Sequence, residues 1–324
     1  MSTMTIAKAI NAGLRRSLAS DPKSLLMGED IGALGGVYRV TEGLKAEFGE
    51  LKVVDTPLAE SGIIGTAIGL AMRGYRPICE IQFDGFVFPG FNQITTQLAK
   101  LHARSEGILS TSVVIRIPYG GGIGSIEHHS ESPEALFAHT AGLRIITPSN
   151  PHDAYWMIQQ AVSCADPVII FEPKRRYWLK GEVNTEEPGR GPFEAQVLRS
   201  GEDATVLAYG PLVPVALAAA NAAEQDGHSL EVIDLRSLSP IDFDTITRSV
   251  QKTGRLLIAH EAPTFGGLGG EIAARISERA FYSLQSPVIR IGGFHLPYPV
   301  AKVEEQYLPD IDRILEAFDR AMAY

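Results

Sequence analysis

The chain has 324 residues, a length typical of two domains, and its 45% hydrophobic and 21% charged residues are typical of a globular protein. A net charge of −9 argues against nucleic acid as the main partner, because phosphate binding needs a basic surface. No apolar run reaches the ~18 residues of a membrane span, and Cys79 and Cys164 have no paired spacing, so we expect a reducing, cytoplasmic compartment and no membrane partner.

The amino-terminal segment is basic and serine-rich, with no acid before Asp21, and this composition also suits a transit peptide. Against that reading, Ile6, Ile10 and Leu14 recur every four residues. The spacing predicts that residues 5–20 form the first helix of the fold.

Short apolar strands then alternate with helical patterns, which predicts an α/β fold with mostly parallel sheets flanked by helices. In the first half the predicted strands are 24–27, 52–55, 77–82, 112–117, 144–147 and 168–172, and the predicted helices are 60–73, 90–105 and 153–164. In the second half the predicted strands are 204–209, 230–234, 255–260 and 288–291, and the predicted helices are 213–226, 243–252, 270–281 and 310–322.

The basic stretch "PKRRYWLK" (173–180) has the pattern of a solvated or interface segment, which we favour over a phosphate site. After it, residues 180–192 are polar and rich in Gly, Pro and Glu, as an interdomain linker would be. We therefore expect a domain over 1–185, a linker over 186–196 and a second domain over 197–324.

Three polar clusters follow predicted strands of the first half: Glu60, "QFDGFVF" (82–88) and "PYGGGIGSIEHHSES" (118–132). Ligands bind at the carboxyl ends of parallel strands, so these clusters are expected to converge. Glu60 is also explained as a first-turn acid that favours the helix dipole. However, Gly62, Gly65 and Gly69 leave one face of its helix without side chains, which would allow another backbone or a ligand to approach closely.

His128 and His129 suit proton transfer better than zinc binding, because no cysteine is near and adjacent histidines lack the usual ligand spacing. The glycine clusters match neither a dinucleotide fingerprint nor a P-loop, and no G-x-S-x-G nucleophile motif is present.

Several long motifs in order resemble the beta subunit of a thiamine-diphosphate-dependent 2-oxo acid dehydrogenase, the decarboxylating component. They are "GEDIG", "GGVYRVTEGL", "DTPLAESGIIGTAIGLAMRGYRPICEIQF", "IPYGGGIGSIEHHSES" and "DPVIIFEPK". The resemblance runs from about Thr5 to the carboxyl terminus. "EIQFDGFVFPGFNQ", "EHHSES" and "FEPKRRY" are more similar to the branched-chain than to the pyruvate enzymes.

The resemblance implies a pyrimidine-binding domain followed by a transketolase-like carboxyl-terminal domain, with thiamine diphosphate bound between subunits. The diphosphate and magnesium of this family are held by a G-D-G motif of the alpha subunit, and this sequence has none. The chain is therefore expected to be active only as an α2β2 heterotetramer, which would also dock on a lipoyl acyltransferase core.

The resemblance also implies residue roles. Glu60 would hydrogen-bond the pyrimidine ring nitrogen and favour the imino tautomer of the cofactor, and Leu58, Gln82 and Phe86 would line the same pocket. Phe86 replaces a residue that is often tyrosine, so it keeps the stacking face without a hydroxyl. His129 would serve reductive acylation of the lipoyl group, with His128 secondary. A structural potassium ion would be bound by the backbone carbonyls of Thr111, Val113, Ala161, Cys164 and Asp166.

We therefore predict a branched-chain 2-oxo acid dehydrogenase beta subunit. The pyruvate or acetoin version of the enzyme stays open, because substrate size depends largely on the pocket, many of whose residues belong to the missing alpha chain. A non-catalytic assembly subunit is the alternative from another class. A nicotinamide-dependent dehydrogenase is disfavoured by the absent fingerprint.

Overall fold

A computed structural model describes residues 1–324. Its strands are β1 (Ser2–Thr5), β2 (Ser24–Gly28), β3 (Val53–Asp55), β4 (Arg76–Glu80), β5 (Val114–Tyr119), β6 (Arg144–Ile146), β7 (Val168–Pro173), β8 (Lys180–Val183), β9 (Gln196–Arg199), β10 (Ala204–Ala208), β11 (Leu230–Asp234), β12 (Ser237–Ser239), β13 (Leu256–Pro263) and β14 (Ile289–Gly293). Its helices are α1 (Ile6–Ser20), α2 (Leu44–Phe48), α3 (Glu60–Met72), α4 (Ala99–Arg104), α5 (Glu134–Ala138), α6 (Pro151–Ser163), α7 (Val213–Gln225), α8 (Phe243–Thr253), α9 (Leu268–Arg279), α10 (Glu304–Tyr307) and α11 (Ile311–Met322). No helix is both long and apolar enough to span a membrane.

Two mostly parallel sheets organise the fold. The first has the order β12-β6-β7-β5-β4-β2-β3, with only β12 antiparallel, and the second has the order β14-β13-β10-β11-β9, with only β9 antiparallel. β5, β7, β10 and β11 are buried along their whole length, as strands covered on both faces should be. The predicted fold class is therefore confirmed.

The helices that cover the sheets begin where their capping residues predict. Thr5, Asn150, Asp242 and Asp310 each accept a hydrogen bond from a backbone N–H in the first turn of α1, α6, α8 and α11, respectively. α1 packs against α6 on one face of the first sheet. The apolar positions Ile6, Ile10 and Leu14 that predicted α1 are almost fully buried in this contact.

The two sheets share one apolar core. A cluster of 35 buried residues runs from Ile63 and Ile64 on α3, across the first sheet, to Ile272 and Ile276 on α9. A strand also crosses the boundary: β12 follows the second sheet's β11 in sequence but pairs antiparallel with β6 of the first. The domains are therefore joined by both core packing and backbone hydrogen bonds.

Two local predictions need correction. Residues 90–105, predicted as one α-helix, are helical from 91 to 104, but the middle of this helix, Gln93–Leu98, is π-helical before α4 continues it; a 3₁₀ turn, Asp84–Gly90, precedes it. The hydroxyls of Thr95 and Thr96 donate back to the carbonyls of Phe91 and Asn92, a pattern that bends helices. In addition, residues 180–183 of the polar segment form strand β8 rather than linker, because they pair antiparallel with β1.

Candidate functional site

The three polar clusters lie at the carboxyl ends of β3, β4 and β5. Glu60 opens α3 after β3, the 3₁₀ turn Asp84–Gly90 follows β4, and the histidine loop follows β5. Gly90 packs against the Glu60 backbone, and the Gly85 N–H donates to the His128 carbonyl at 3.2 Å. Because both contacts join the β4 turn to its neighbours, the clusters form one continuous surface.

Glu60 is a buried carboxylate, 6% exposed, at the amino terminus of α3, where the helix dipole favours negative charge. Glu29 lies beside it and is 7% exposed. Burial raises the pKa of Glu29, and the charge of Glu60 raises this pKa further, while the N–H of Ala59 opposes the shift. One carboxylate oxygen of Glu29 is buried without a hydrogen-bond partner. This pair of adjacent buried acids therefore contains a carboxylate oxygen, on Glu29, that lacks a donor, and a ligand could supply one.

An aromatic wall stands at the same edge. The His129 ring lies 4.4 Å from the Phe83 ring and 5.2 Å from the Phe86 ring, measured between centroids. Phe83 and Phe86 meet edge-to-face at 5.9 Å. Both Phe86 and His129 are half-buried, so each keeps part of its ring surface for a ligand.

The two histidines face different surroundings because of the backbone between them. His128 adopts a positive φ of 71° and its side chain is exposed, whereas His129 turns into the aromatic wall. The loop lies so close to Gly85 that a Cβ atom there would overlap the His128 backbone. Glycine at position 85 therefore allows the histidine loop to lie on the β4 turn.

The other predicted pocket residues are more dispersed. The Gln82 amide donates to Asp30 at 3.0 Å, which holds its side chain at the end of β4. Leu58 precedes α3 and is 80% exposed, so this chain by itself does not enclose it.

The predicted potassium ligands lie on the loop before β5 and on the end of α6 with the loop that follows it. The Ser112 hydroxyl donates to the Cys164 carbonyl at 2.6 Å, which joins residues 111–113 to residues 161–166. The Ala161 carbonyl accepts from the Cys164 N–H, and the Val113 carbonyl accepts from the Val168 N–H. Each carbonyl has a second lone pair, so these bonds leave acceptor capacity for a cation.

The sequence reasoning missed a buried ion pair below the aromatic wall. The Lys174 ammonium contacts the Asp84 carboxylate at 2.6 Å, and both side chains are fully buried. Asp84 also accepts from the Glu131 N–H at 2.9 Å, which attaches the end of the histidine loop to the β4 turn. The expectation of a solvated or interface stretch over 173–180 is therefore wrong for Lys174, which is buried within the chain. Its charge pattern carries no sign of a partner 90 residues away.

Comparison with known families agrees with this architecture. The pyrimidine-binding domain of transketolase matches residues 2–178, and the carboxyl-terminal domain of transketolase matches residues 194–314. A solved structure described as a split-gene transketolase, an inactive beta4 tetramer, aligns with a TM-score of 0.80 over 99% of this chain and 98% of its own. At 23% identity, that likeness supports the fold alone.

Relatives with high sequence identity along nearly the whole chain indicate which family within the transketolase-like proteins it belongs to. The chain is 63% identical, over 99% of its length and 96% of the relative's, to "Pyruvate dehydrogenase E1 component subunit beta" of Leifsonia xyli. It is 51% identical, over 99% of its length and 92% of the relative's, to "3-methyl-2-oxobutanoate dehydrogenase subunit beta" of Mycobacterium tuberculosis. A pyruvate dehydrogenase E1 beta subunit of Acholeplasma laidlawii is 41% identical over 100% and 99%.

The fold and its two matched domains define a transketolase-like protein. More specifically, the chain belongs to the family of beta subunits of 2-oxo acid dehydrogenase E1 components. The resemblance drawn from the sequence motifs is thus confirmed at the level of the family. The relatives' names divide between pyruvate and 3-methyl-2-oxobutanoate.

Proposed function

We propose that this chain supplies the aminopyrimidine half of a thiamine diphosphate site in an enzyme that oxidatively decarboxylates 2-oxo acids. The observation that carries the proposal is the buried Glu60–Glu29 pair, with an unpartnered carboxylate oxygen, beside a half-exposed aromatic wall. A flat heterocycle with ring nitrogens and an amino group fits both features, since it stacks on aromatic rings and exchanges protons with carboxylates.

Bound thiamine diphosphate would supply the electron sink for decarboxylation, which no side chain provides. In the proposal, Glu60 hydrogen-bonds the pyrimidine ring nitrogen and holds a shared proton there. Phe86 stacks on the ring and fixes its plane, while Leu58 and Gln82 border the pocket.

His129 is proposed to donate a proton to the departing sulfur during reductive acylation of the lipoyl group, as an imidazolium can do near neutral pH. Its contacts with Phe83 and Phe86 support this role, because they hold the ring at the site while leaving it half-exposed.

The remaining parts of the site would come from a partner. The sequence has no G-D-G motif, so an alpha subunit would hold the diphosphate and magnesium in an α2β2 assembly. Three further features stay predictions: docking on the lipoyl acyltransferase core, a cytoplasmic location, and potassium bound by the carbonyls of Thr111, Val113, Ala161, Cys164 and Asp166.

For the substrate we propose branched-chain 2-oxo acids, supported by the motifs 80–93 and 171–177 and by the relative named for 3-methyl-2-oxobutanoate. Pyruvate is the second candidate, because a relative with 63% identity is named for it.

The test measures decarboxylation of 3-methyl-2-oxobutanoate and of pyruvate by this chain, alone and with its alpha partner, with thiamine diphosphate and magnesium. Activity is expected only with the partner, and the faster substrate identifies the enzyme. Activity of the chain alone would contradict the split site. No activity from a correctly assembled tetramer would favour a non-catalytic assembly subunit.

A matched pair of variants tests the carboxylate. Glu60→Gln is expected to lower decarboxylation by at least about a hundredfold with assembly preserved, since it removes a proton-sharing group. Glu278→Gln makes the same change at an exposed site on α9 and is expected to leave the rate unchanged. Equal rates for both variants would refute the role of Glu60.

A further inference from the structure

The loop that carries His129 begins with a glycine-rich turn whose backbone N–H groups face carboxylates of the second domain. Gly120, Gly122 and Gly124 have φ values of 81°, 83° and 72°, the left-handed region that glycine adopts without strain. Alternating conformations of this kind turn successive N–H groups to one side and make an anion-binding concavity. Here the anions belong to the protein itself.

Glu304, the first residue of α10, fills most of that concavity. One carboxylate oxygen accepts from the Gly122 N–H at 2.8 Å and from the Tyr298 hydroxyl at 2.7 Å. The other oxygen accepts from the Gly124 N–H at 3.0 Å. Glu304 is 5% exposed, so these hydrogen bonds are shielded from water and are charge-assisted.

A second carboxylate completes the arrangement. Glu261, on β13, accepts from the Gly121 N–H and contacts the Arg175 guanidinium at 3.3 Å. Three backbone hydrogen bonds, from the N–H groups of Gly121, Gly122 and Gly124, therefore attach the turn to the second domain.

The glycines of the turn fit the side chains of this docking surface. A Cβ atom at Gly121 would overlap the Tyr298 hydroxyl, and one at Gly122 would lie 2.6 Å from the Arg175 side chain. The turn is therefore complementary in shape to Tyr298 of the second domain and to Arg175 of its own domain, and it is complementary in charge to Glu304.

A short path of hydrogen bonds leads from this turn to His129. The Ser130 hydroxyl donates to the Ser125 carbonyl at 2.9 Å, and the His129 N–H donates to the Ile126 carbonyl at 3.2 Å. The Gly120 N–H closes the base of the loop on the Glu131 carbonyl at 2.9 Å. Because the loop is internally bonded, a shift at its glycine end is transmitted to the imidazole.

We propose that Glu304 is a positioning residue for His129, acting across the domain boundary through the glycine turn. This inference rests on the role proposed above for His129 in lipoyl acylation. In the proposed role, Glu304 touches neither substrate nor cofactor, and its carboxylate fixes the position of the loop. A displacement of about 1 Å at a reacting group costs up to about a hundredfold in rate, so small movements would be measurable.

The test separates two partial reactions of the reconstituted tetramer. Glu304→Ala is expected to lower reductive acylation of a free lipoyl domain by about tenfold or more, because it removes the two carboxylate oxygens that accept from the Gly122 and Gly124 N–H groups. Decarboxylation with an artificial electron acceptor, which depends on Glu60 rather than His129, is expected to change by less than about twofold. Glu305→Gln, at the adjacent exposed carboxylate, is the control and is expected to alter neither rate.

Combining variants shows whether the effect passes through the imidazole. In a His129→Ala background, Glu304→Ala is expected to cause no further loss, since residues that act through one another are not additive. A further loss there, equal losses in both partial reactions, or no loss in either would overturn the proposal.

Hydrogen exchange gives a readout that needs no alpha subunit. Glu304→Gln keeps the side-chain volume but has one acceptor oxygen fewer. It is expected to speed hydrogen exchange of the Gly122 and Gly124 amides and of the amides of residues 126–131, while exchange in β10 stays unchanged. Unaltered exchange in the loop of Glu304→Gln would refute the positioning role. This readout remains available if Glu304→Ala does not fold. Absence of all 2-oxo acid activity in the wild-type tetramer, with normal loop protection, would instead count against the proposed function.

Discussion

Glu134 is an acid that we expect to be mostly neutral in the folded protein at mildly acidic pH. It lies at the start of α5, fully buried between the two domains, and accepts from the Tyr209 hydroxyl at 2.7 Å. Its second carboxylate oxygen has no partner. Burial raises the pKa of Glu134 from 4.5 to about 7, and the charges of Glu261 and Asp84 add to this shift, while the Tyr209 hydrogen bond opposes it.

The shift makes stability depend on pH. As pH rises above 4.5, the unfolded chain releases the proton of Glu134 before the folded chain does, so the free energy of unfolding falls until pH reaches about 7. A difference of about 2.5 pH units, at about 1.4 kcal/mol per unit, amounts to about 3 kcal/mol. Glu134→Gln stays neutral throughout and can still accept from Tyr209.

The variant is therefore expected to match the wild type near pH 5 and to exceed it by about 3 kcal/mol near pH 8. The assay is urea unfolding at half-unit steps of pH, followed by fluorescence of the buried Trp156. Burial also raises the pKa of Asp234 to about 7, but this group is present in both proteins and cancels in the comparison. Glu278→Gln, at an exposed site, controls for loss of charge. If Glu134→Gln and the wild type run parallel from pH 5 to pH 8, Glu134 is ionised in the folded state and the reasoning fails.

Three further predictions concern stability and are measured by the same urea unfolding. Lys174→Met leaves the buried Asp84 carboxylate unpaired and is expected to cost about 3–5 kcal/mol, whereas adding Asp84→Asn is expected to recover part of that loss. Arg236→Met breaks a buried ion pair with Asp153 on α6 and two hydrogen bonds to carbonyls of the segment 186–196. It is expected to lower the free energy of unfolding by about 3–5 kcal/mol and to speed proteolysis within that segment. Unchanged cleavage would contradict the inference that Arg236 holds the segment in place. Gly142→Ala adds a Cβ that overlaps a carbonyl oxygen of α4, at a φ of 100°, and is expected to lower the free energy of unfolding by more than about 2 kcal/mol. Gly227→Ala is the control, because its φ is 85° but the space around it is open, and it is expected to cost about 1 kcal/mol. Equal losses would assign the whole effect to the backbone φ and none to the overlap.

Much of the fold follows from sequence patterns that act locally. α1, α6 and α8 begin and end within two residues of prediction, because a capping side chain and a period of 3.6 residues both lie within the segment itself. β12 could not be predicted in the same way. It has three residues, and the strand that it pairs with is about 90 residues away and belongs to the other sheet.

The residues of the candidate site likewise fall into those that local sequence patterns predict and those that only tertiary contacts reveal. Glu60, Phe86 and His129 stand in recognisable motifs, and the structure brings their segments together at one edge of the first sheet. Glu29 also stands in one of the motifs, "GEDIG", but no role was predicted for it, since a single acid after a strand is common and only its burial beside Glu60 distinguishes it. Lys174 was predicted to lie in a solvated or interface segment because neighbouring charges dominate the local pattern, and only the tertiary contact with Asp84 reverses that interpretation.

The second domain completes the first rather than standing beside it. Its strand β12 extends the first sheet, Arg236 forms two hydrogen bonds to Asp153 on α6, and Glu304 holds the glycine turn of the histidine loop. Each contact involves a buried polar group, which is costly when left unpaired. Removing the second domain would expose all of them at once, together with the part of the shared apolar core that its own core residues cover. The histidine loop would then lose the carboxylates that fix its turn, so a fragment of residues 1–185 is not expected to keep His129 against Phe83 and Phe86, even where its own sheet forms.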